Sequence, residues 1–387
     1  MISYGKQTID QSDIDAVVDS LNSDWLTQGP RVKNFENDLS EHFGALYTCA
    51  VSNGTAALHL VAKILNWKPD DIIITTPITF LATANCIEYV GASVDFVDID
   101  LDTYTINTKL LDEKISLHLK NGRKVKAVIA VDYAGHPCDW KSLSEISSKY
   151  NIKLINDNCH AMGASYYRDS KYAAKYADVV TQSFHPVKHI TTGEGGAIIT
   201  NDEAIISKAY ILRSHGMERV LKLNDDSEVP PWYYEMNEVG YNYRITDFQC
   251  ALGSNQLLRI NEFLKKRRII ADRYNSFFSK LDHFHIPKYD ESFEHAFHLY
   301  PLCINYDALQ KTKLDFFKYL QSKNISLQVH YIPIHLQPYY SKKYNFKIGD
   351  FPVSEKFYKS ELSLPIYPEL SLQDQDYVIS KIINFFN

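Results

Sequence analysis

Covalent chemistry is best supported by the segment Ser183-Phe-His-Pro-Val-Lys188, which leads toward the glycine-rich turn Glu194-Gly-Gly196. A lysine held in a crowded, partly dry site has a lowered pKa, and its free amine can form a Schiff base with a carbonyl group. Ser183 lies at the predicted end of a strand, where its hydroxyl could contact a phosphate. A single loop lysine is usually solvated, so the segment needs support from elsewhere in the chain.

A second segment, Ser52-Asn-Gly-Thr-Ala-Ala57, could hold a phosphate. It follows a predicted strand and opens a predicted helix, where Gly54 permits a tight turn and Thr55 is expected to cap the helix. Backbone N–H groups at a helix N-terminus bind anions well. Many α/β turns have this composition, so taken alone the segment is better interpreted as an ordinary turn.

A third segment, Asn156-Asp-Asn-Cys-His-Ala161, places Asp157 at the predicted end of another strand. A carboxylate there can pair with a heteroaromatic nitrogen and keep it protonated. His160 could hydrogen-bond a substituent of the same ring. Alone, a helix cap for Asp157 and a structural role for His160 are at least equally good interpretations. Together, the three segments supply a phosphate site, a partner for a cationic ring and an imine-forming lysine.

The elements that position these residues alternate between strands and helices. Hydrophobic periodicity and β-branched content predict seven strands, at 47–51, 71–76, 93–97, 125–131, 153–156, 178–182 and 196–200. Helices are predicted at 55–65, 81–90 and 140–150, with about thirty helical residues from Thr246 onward. This alternation indicates a largely parallel sheet covered by helices, and such sheets bind ligands beyond the carboxyl ends of their strands.

A second α/β region is predicted to begin near Phe284. It contains strands at 298–304 and 327–329, a helix at 313–322 and a final helix at 374–386. We therefore predict an α/β protein with two domains. A large domain at residues 1–260 is built on a mostly parallel, mixed sheet sandwiched by helices, and a smaller C-terminal α/β domain occupies residues 261–387.

Composition excludes several classes of protein. The 387 residues carry a formal net charge of −6, which does not favour a nucleic-acid partner. Apolar runs such as 127–131 are too short to span a bilayer, and residues 1–10 lack the pattern of a signal peptide. None of the six cysteines forms a C-x-x-C pair, so no metal site is expected. We expect a cytoplasmic protein with no membrane partner.

With these segments in place, the chain resembles the DegT/DnrJ/EryC1/StrS family of sugar aminotransferases, which have fold type I and use pyridoxal phosphate. The resemblance covers nearly the whole chain. Besides the three segments above, it rests on Leu26-Thr-Gln-Gly29, Thr76-Pro-Ile-Thr-Phe80, Arg213-Ser-His-Gly216 and Gly240-Tyr-Asn-Tyr-Arg244. Within the family, the chain is most similar to the 4-aminotransferases of pseudaminic acid biosynthesis. The segments that indicate this are 75–85, 131–135, 184–192 and 328–331.

The resemblance implies a role for individual residues. Lys188 would bind pyridoxal 5′-phosphate covalently and later move the proton. The other implied cofactor contacts are Asp157 on the pyridine nitrogen, His160 near the phenolic oxygen, Phe80 on the ring face, Gly54, Thr55 and Ser183 on the phosphate, and Asn242 on the phosphate of a partner subunit. A homodimer with interfacial sites is therefore implied. Weaker candidates for substrate contact are Glu194, His330 and Tyr331.

The implied reaction is a ping-pong transamination. L-Glutamate would give up its amino group and leave as 2-oxoglutarate, and the 4-keto group of a nucleotide-linked 6-deoxy sugar would receive it. The favoured acceptor is UDP-2-acetamido-2,6-dideoxy-β-L-arabino-hexos-4-ulose. The segment 220–231 is expected to vary between relatives and to border the sugar-nucleotide site.

Four alternatives stay open. The same reaction could act on another keto sugar, such as a UDP-bacillosamine or GDP-perosamine precursor. A sugar 3-dehydratase on the same scaffold would carry histidine in place of Lys188, and a non-enzymatic regulator need not keep Lys188 together with Asp157. Hydrolysis by Ser183 and His185 is remote, because no third orienting group is apparent.

Overall fold

A seven-stranded sheet forms the centre of the computed structural model, which describes residues 1–219 and 229–386. Its order is β1-β7-β6-β5-β4-β2-β3. The strands are β1 (Tyr47–Val51), β2 (Asp71–Thr75), β3 (Ser93–Phe96), β4 (Lys124–Val131), β5 (Lys153–Asp157), β6 (Val179–Ser183) and β7 (Gly196–Thr200). Pairing is parallel from β6 through β3, and β7 runs antiparallel to both β1 and β6.

All seven predicted strands are present, and no end differs from its predicted position by more than one residue. Strands buried on both faces have continuous apolar runs, which makes them easy to find in a sequence. In β2, Ile72 and Ile74 pack into one hydrophobic cluster, whereas Ile73 packs into a second cluster on the other face. The sheet therefore lies between two helical layers, as predicted.

Helices cover both faces of this sheet. The predicted helices 55–65, 81–90 and 140–150 are confirmed with small shifts at their ends. The helices in this part of the chain are α1 (Gln11–Leu21), α2 (Pro30–Phe43), α3 (Gly54–Ile64), α4 (Leu81–Tyr89), α5 (Thr108–Lys120), α6 (Trp140–Tyr150), α7 (Tyr172–Tyr176) and α8 (Glu203–Arg213).

The predicted helical stretch after Thr246 is two helices, α9 (Asp247–Leu258) and α10 (Ile260–Phe278). Two short strands, β8 (Met217–Glu218) and β9 (Glu235–Met236), precede them. The Thr246 side chain accepts from the backbone of Gln249 to cap α9. Periodicity continues across the break between the helices, so the sequence alone did not indicate it.

A smaller antiparallel sheet, β10-β11-β12, occupies the C-terminal region. Its strands are β10 (Phe284–His285), β11 (Tyr300–Ile304) and β12 (Glu361–Leu364), and the remaining helices are α11 (Lys313–Ser322), α12 (Pro338–Tyr344), α13 (Pro352–Ser360) and α14 (Leu372–Phe386). A third hydrophobic cluster packs the three strands, α11 and α14 against the later part of α10. The division into residues 1–260 and 261–387 stays a prediction.

Two details of the C-terminal prediction are corrected. The predicted strand at 327–329 is wrong, because Gln328 makes only an isolated bridge to Ser363. Strand β11 pairs with β10 on one side and with β12 on the other, and the sequence did not reveal β12. Its four residues follow α13 directly, so no turn residues mark where it begins.

Asp132, directly after β4, anchors the loops at the carboxyl edge of the large sheet. Its buried carboxylate accepts hydrogen bonds of 2.7–3.1 Å from Cys138 N, Trp140 Nε1, Asn156 Nδ2, Asn158 Nδ2 and Tyr172 Oη. The donors come from the loops after β4 and β5, from β5 itself and from α6 and α7. Burial raises the pKa of Asp132, whereas these hydrogen bonds lower it.

Replacing Asp132 with Ala should destabilise the protein by about 3–5 kcal/mol, because buried donors would lose their acceptor. Urea unfolding would measure this loss. Asp112→Ala is the matched control, since it removes a carboxylate that pairs with Lys149 at the surface. Equal unfolding midpoints for the two variants would contradict an anchoring role for Asp132.

Candidate active site

A cavity of about 1130 Å³ opens at the carboxyl ends of β4, β5 and β6. The last residues of these strands, Val131, Asp157 and Ser183, line its floor. In the parallel register Val131 pairs with Asp157, and Asp157 pairs with Thr181. Parallel strands end at the same edge, so the register brings side chains from distant parts of the sequence into one cavity.

The N-terminus of α3 forms one end of the cavity. Asn53 caps the helix, because its side chain accepts from Ala56 N at 2.8 Å. The expectation that Thr55 is the cap is therefore wrong, since Thr55 lies inside the first turn. Gly54 and Thr55 line the cavity, and their N–H groups precede the first hydrogen bonds within the helix. This end of the cavity suits an anion.

Two glycines let the chain close around this helix end. A Cβ atom on Gly54 would lie 2.9 Å from the Cβ atom of Ser183. A Cβ atom on Gly196 would lie 2.4 Å from the carbonyl carbon of Asn53. Strand β7 therefore passes directly against the turn before α3, which explains the glycine at the end of the Glu194-Gly-Gly196 segment.

Asp157 is buried on the cavity floor and is held by two donors. Thr83 Oγ1 donates to Asp157 Oδ2 at 2.7 Å, and Cys159 N donates to Oδ1 at 3.4 Å. The hydroxyls of Thr83 and Thr79 lie 2.8 Å apart and link α4 to the preceding loop. An ionised carboxylate has about four acceptor sites, so Asp157 keeps acceptor capacity for a ligand.

Lys188 lies in the loop between β6 and β7 and reaches into the same cavity. Burial lowers the pKa of its amine, and the nearby Cys159 and Asp157 oppose this effect. Backbone hydrogen bonds shape the loop, from Lys188 N to His185 O at 2.9 Å and from Thr192 N to Phe184 O at 3.0 Å. The structure thus gives Lys188 the environment expected of a nucleophilic amine.

His160 is a neutral donor in this cavity. Burial and the charge of Lys188 hold its pKa well below the usual value. Ala134 N donates to His160 Nδ1 at 3.3 Å, so the ring proton of the neutral form lies on Nε2. His160 Nε2 is 3.2 Å from Tyr331 Oη. A ligand atom near Nε2 would therefore meet a hydrogen-bond donor.

The cavity brings together ten of the eleven predicted site residues. Its walls include the three weaker candidates, Glu194, His330 and Tyr331, as well as the half-exposed ring of Phe80. Asn242 is the exception, because it is exposed and makes a β-bridge to Ser214 outside the cavity. Its predicted contact with a partner subunit stays a prediction. Most of the segment 220–231 lies outside the described residues.

Sequence reasoning missed several residues of the site. Thr83 lies one helical turn after Phe80 within a motif that indicated the family, but only its bond to Asp157 reveals its role. Tyr243 Oη lies 3.0 Å from His59 Nδ1 at another wall of the cavity. His298 packs its ring 4.4 Å from that of His160. No local pattern marks these contacts, because the partners are far apart in sequence.

Comparisons with known proteins agree with this geometry. A profile of the DegT/DnrJ/EryC1/StrS aminotransferase family matches residues 7–383. The chain belongs to this family. It is 38% identical over 380 residues to the UDP-4-amino-4,6-dideoxy-N-acetyl-beta-L-altrosamine transaminase of Campylobacter jejuni, with 98% of this chain and 96% of that protein covered.

Solved structures show the same fold. PseC of Helicobacter pylori, an aminotransferase involved in the biosynthesis of pseudoaminic acid, matches with a TM-score of 0.90 at 29% identity, covering 100% of this chain and 99% of PseC. Spr1654 of Streptococcus pneumoniae, solved in PLP and PMP forms, matches in its PLP form with a TM-score of 0.88 at 29% identity, covering 100% and 98% of the two chains. The predicted fold class is confirmed.

Among residues 1–219 and 229–386, no helix is both long and apolar enough to cross a bilayer. The same residues contain no cluster of three or more His, Cys, Asp or Glu side chains that could hold a metal ion.

Lys188 should be acylated at a lower pH than surface lysines in protein freed of bound cofactor, because burial lowers its pKa. Lys149 is the internal control, since its hydrogen bond to Asp112 raises its pKa. Competitive labelling with limiting acetic anhydride, followed by mass spectrometry of the peptides, would give both titration curves. If the two lysines label in parallel as the pH rises, the lowered pKa of Lys188 is wrong.

Proposed function

We propose that this protein is a pyridoxal-phosphate-dependent nucleotide-sugar 4-aminotransferase. It would transfer the amino group of L-glutamate to C4 of UDP-2-acetamido-2,6-dideoxy-β-L-arabino-hexos-4-ulose, a step of pseudaminic acid biosynthesis. The observation that carries the proposal is one cavity holding Lys188 with a lowered pKa, the buried carboxylate of Asp157 and the N-terminus of α3.

The residues of the cavity fit pyridoxal 5′-phosphate. Gly54, Thr55 and Ser183 surround the helix end at which a phosphate would bind, and an added Cβ on Gly54 would fill that cradle. Asp157 keeps free acceptor sites for the pyridine N–H. When bound, the cofactor supplies an aldehyde that accepts an amino group and a cationic ring that withdraws electrons.

Asp157 would hold the ring proton. Its carboxylate is fixed by Thr83 and by the backbone of Cys159, so it cannot turn away from the cavity without losing both bonds. An ion pair with the pyridine nitrogen favours the protonated ring. His160, with its proton on Nε2, would donate to the phenolic oxygen.

Lys188 would act twice in each half-reaction. Its lowered pKa increases the fraction of neutral amine, and this amine would bind the cofactor. The same amine would also take the α-proton of glutamate and move it during transfer of the amino group, for which the cofactor would supply the electron-withdrawing ring. In the second half-reaction the same amine would move the proton in the reverse direction.

The sugar substrate is proposed from two observations. The relatives include a UDP-linked altrosamine transaminase at 38% identity and PseC with a TM-score of 0.90. The cavity also extends past the cofactor residues to a wall with aromatic side chains, among them Tyr4, Tyr89 and Tyr243. This wall offers stacking and hydrogen-bonding groups to a nucleotide sugar.

A homodimer in the cytoplasm completes the proposal. Asn242 lies outside its own cavity with its side chain exposed, so it is free to contact the cofactor phosphate of a second subunit. Nearby, the rings of Tyr241 and Tyr243 stack 4.9 Å apart, and Ser52 N donates to Tyr243 O at 2.8 Å. This segment is therefore held firmly beside the helix end that would bind the phosphate.

Wild-type protein loaded with pyridoxal phosphate should release about one 2-oxoglutarate per subunit from L-glutamate when no sugar is present. Lys188→Ala should slow this release by about 10²–10⁴-fold, because the proton-transfer group is gone. A single-turnover assay of 2-oxoglutarate measures both rates. Lys149→Ala, a surface change, should match the wild type. A Lys188→Ala variant that kept the wild-type rate would contradict the mechanism.

The proposed sugar should give the highest kcat/KM in a panel of keto-sugar nucleotides. We expect UDP-2-acetamido-2,6-dideoxy-β-L-arabino-hexos-4-ulose to exceed the UDP-bacillosamine and GDP-perosamine precursors by about tenfold or more, since one mispaired polar group costs about 1–3 kcal/mol. Product identification by mass spectrometry and NMR checks the transferred position. A faster reaction with either competitor would replace the proposed substrate while leaving the reaction class intact.

A further inference from the structure

Three buried polar side chains form a chain behind one wall of the cavity. Ser363 Oγ lies 2.5 Å from Glu361 Oε1 and 2.8 Å from His330 Nδ1. The second carboxylate oxygen, Glu361 Oε2, accepts from His330 N at 3.1 Å. Glu361 and Ser363 are fully buried on β12, whereas His330 lines the cavity. The proposed chemistry of Lys188 uses neither residue of β12.

The direction of these hydrogen bonds follows from the groups themselves. An ionised carboxylate only accepts, so the single proton of the Ser363 hydroxyl points to Glu361. The Ser363 oxygen must then accept from His330 Nδ1. Burial and the charge of Lys188 lower the pKa of His330 to about 3, so the ring is neutral and has one proton. That proton lies on Nδ1.

We propose that Glu361 and Ser363 are positioning residues that hold His330 as the Nδ1–H tautomer, so that its Nε2 lone pair accepts a hydrogen bond from a hydroxyl or amide N–H of the sugar nucleotide. This inference rests on the proposed function for its substrate class. The tautomer itself rests only on the three side chains.

The acceptor character of His330 distinguishes the keto sugar from the carboxylates of glutamate. Carboxylate and phosphate oxygens have no proton to donate, so a neutral Nε2 lone pair gives them no hydrogen bond. Sugar hydroxyls and an acetamido N–H are donors. His330 would therefore contribute to binding of the keto sugar and not to binding of the glutamate carboxylates.

Two neutral histidines of the cavity wall thus have opposite hydrogen-bonding roles. His160 accepts at Nδ1 and has its proton on Nε2, whereas His330 donates at Nδ1 and accepts at Nε2. The main chain at His330 is also held, because Tyr133 Oη donates to its carbonyl oxygen. A fixed ring with a fixed tautomer presents a single type of partner to the substrate.

Glu361 must be ionised for this arrangement to hold. Burial raises its pKa to about 7, and the charge of the nearby Lys313 opposes that rise. Measurements at about pH 8.5 therefore report on the ionised form of Glu361, which can only accept hydrogen bonds.

The tautomer can be measured in wild-type holoenzyme, and a variant is needed only to assign the signals. In holoenzyme labelled with ¹⁵N-histidine, long-range ¹H–¹⁵N spectra distinguish protonated from unprotonated ring nitrogens. His330→Gln assigns the signals of His330 by their loss. We expect a protonated Nδ1 and an unprotonated Nε2 at about pH 8.5. A protonated Nε2 on His330 would overturn the proposal.

Two variants test the function of the chain. Ser363→Ala removes the acceptor for Nδ1–H. Glu361→Gln can still accept from His330 N, but its NH₂ group would then donate to Ser363, whose proton would turn to Nδ1 and move the ring proton to Nε2. Both should raise the KM for UDP-2-acetamido-2,6-dideoxy-β-L-arabino-hexos-4-ulose about tenfold. Release of 2-oxoglutarate from glutamate should stay within about twofold.

The controls separate this inference from the proposed function. Ser20→Ala removes another fully buried hydroxyl, which has no hydrogen-bond partner among the described residues, and should leave the KM unchanged. Equal losses in both half-reactions, or an unchanged KM in Glu361→Gln with the ring proton on Nε2, would overturn the role of His330. If wild-type protein fails to release 2-oxoglutarate, the proposed function fails, while the NMR spectra still decide the tautomer.

Discussion

The parallel pairing of β4, β5 and β6 is the constraint on which the site depends. Parallel hydrogen bonding aligns the strand ends, so Val131, Asp157 and Ser183 reach the same edge although they are separated by 26 residues at each step. The loops that leave this edge must then turn outward, and they enclose a cavity. Asp132 ties four of the neighbouring elements together at that edge, so the floor of the cavity is rigid.

Burial is the largest cause of the pKa shifts in the site. Burial lowers the pKa values of Lys188, His160 and His330, which favours the uncharged form of each group. Uncharged histidines add no positive charge beside Asp157, so this carboxylate would act on a bound cationic ring with little competition. Buried groups behind the cavity wall, such as Glu361 and Ser363, must bind each other, because burial removes them from water.

The small C-terminal sheet also supports part of the cavity wall. Strand β12 places Glu361 and Ser363 directly behind His330, and His330 and Tyr331 form part of the cavity wall. Tyr331 also reaches His160, in the loop after β5, with its Oη 3.2 Å from Nε2. Side chains that line the cavity thus link the two parts of the chain. Any shift of β12 would change the polarity of that wall as well as its shape.

The sequence by itself determined the seven strands, helices such as α3, α4 and α6, and the order of the 52–57 turn, Asp157 and Lys188. These features are local, since strand runs and helical periodicity arise from which side chains must be buried. The same signal could not indicate β12, the break before α10 or the cap at Asn53, because short strands and caps depend on a few residues.

Only the tertiary structure decided the hydrogen-bond partners and the pKa shifts of the reactive groups. Thr83 lies 74 residues from the Asp157 that it binds, and Ser363 lies 33 residues from His330. Such contacts follow from packing of whole elements, which no window of sequence contains. The sequence identified Lys188 as a candidate nucleophile, but the lowered pKa that makes it one exists only when the folded chain removes it from water.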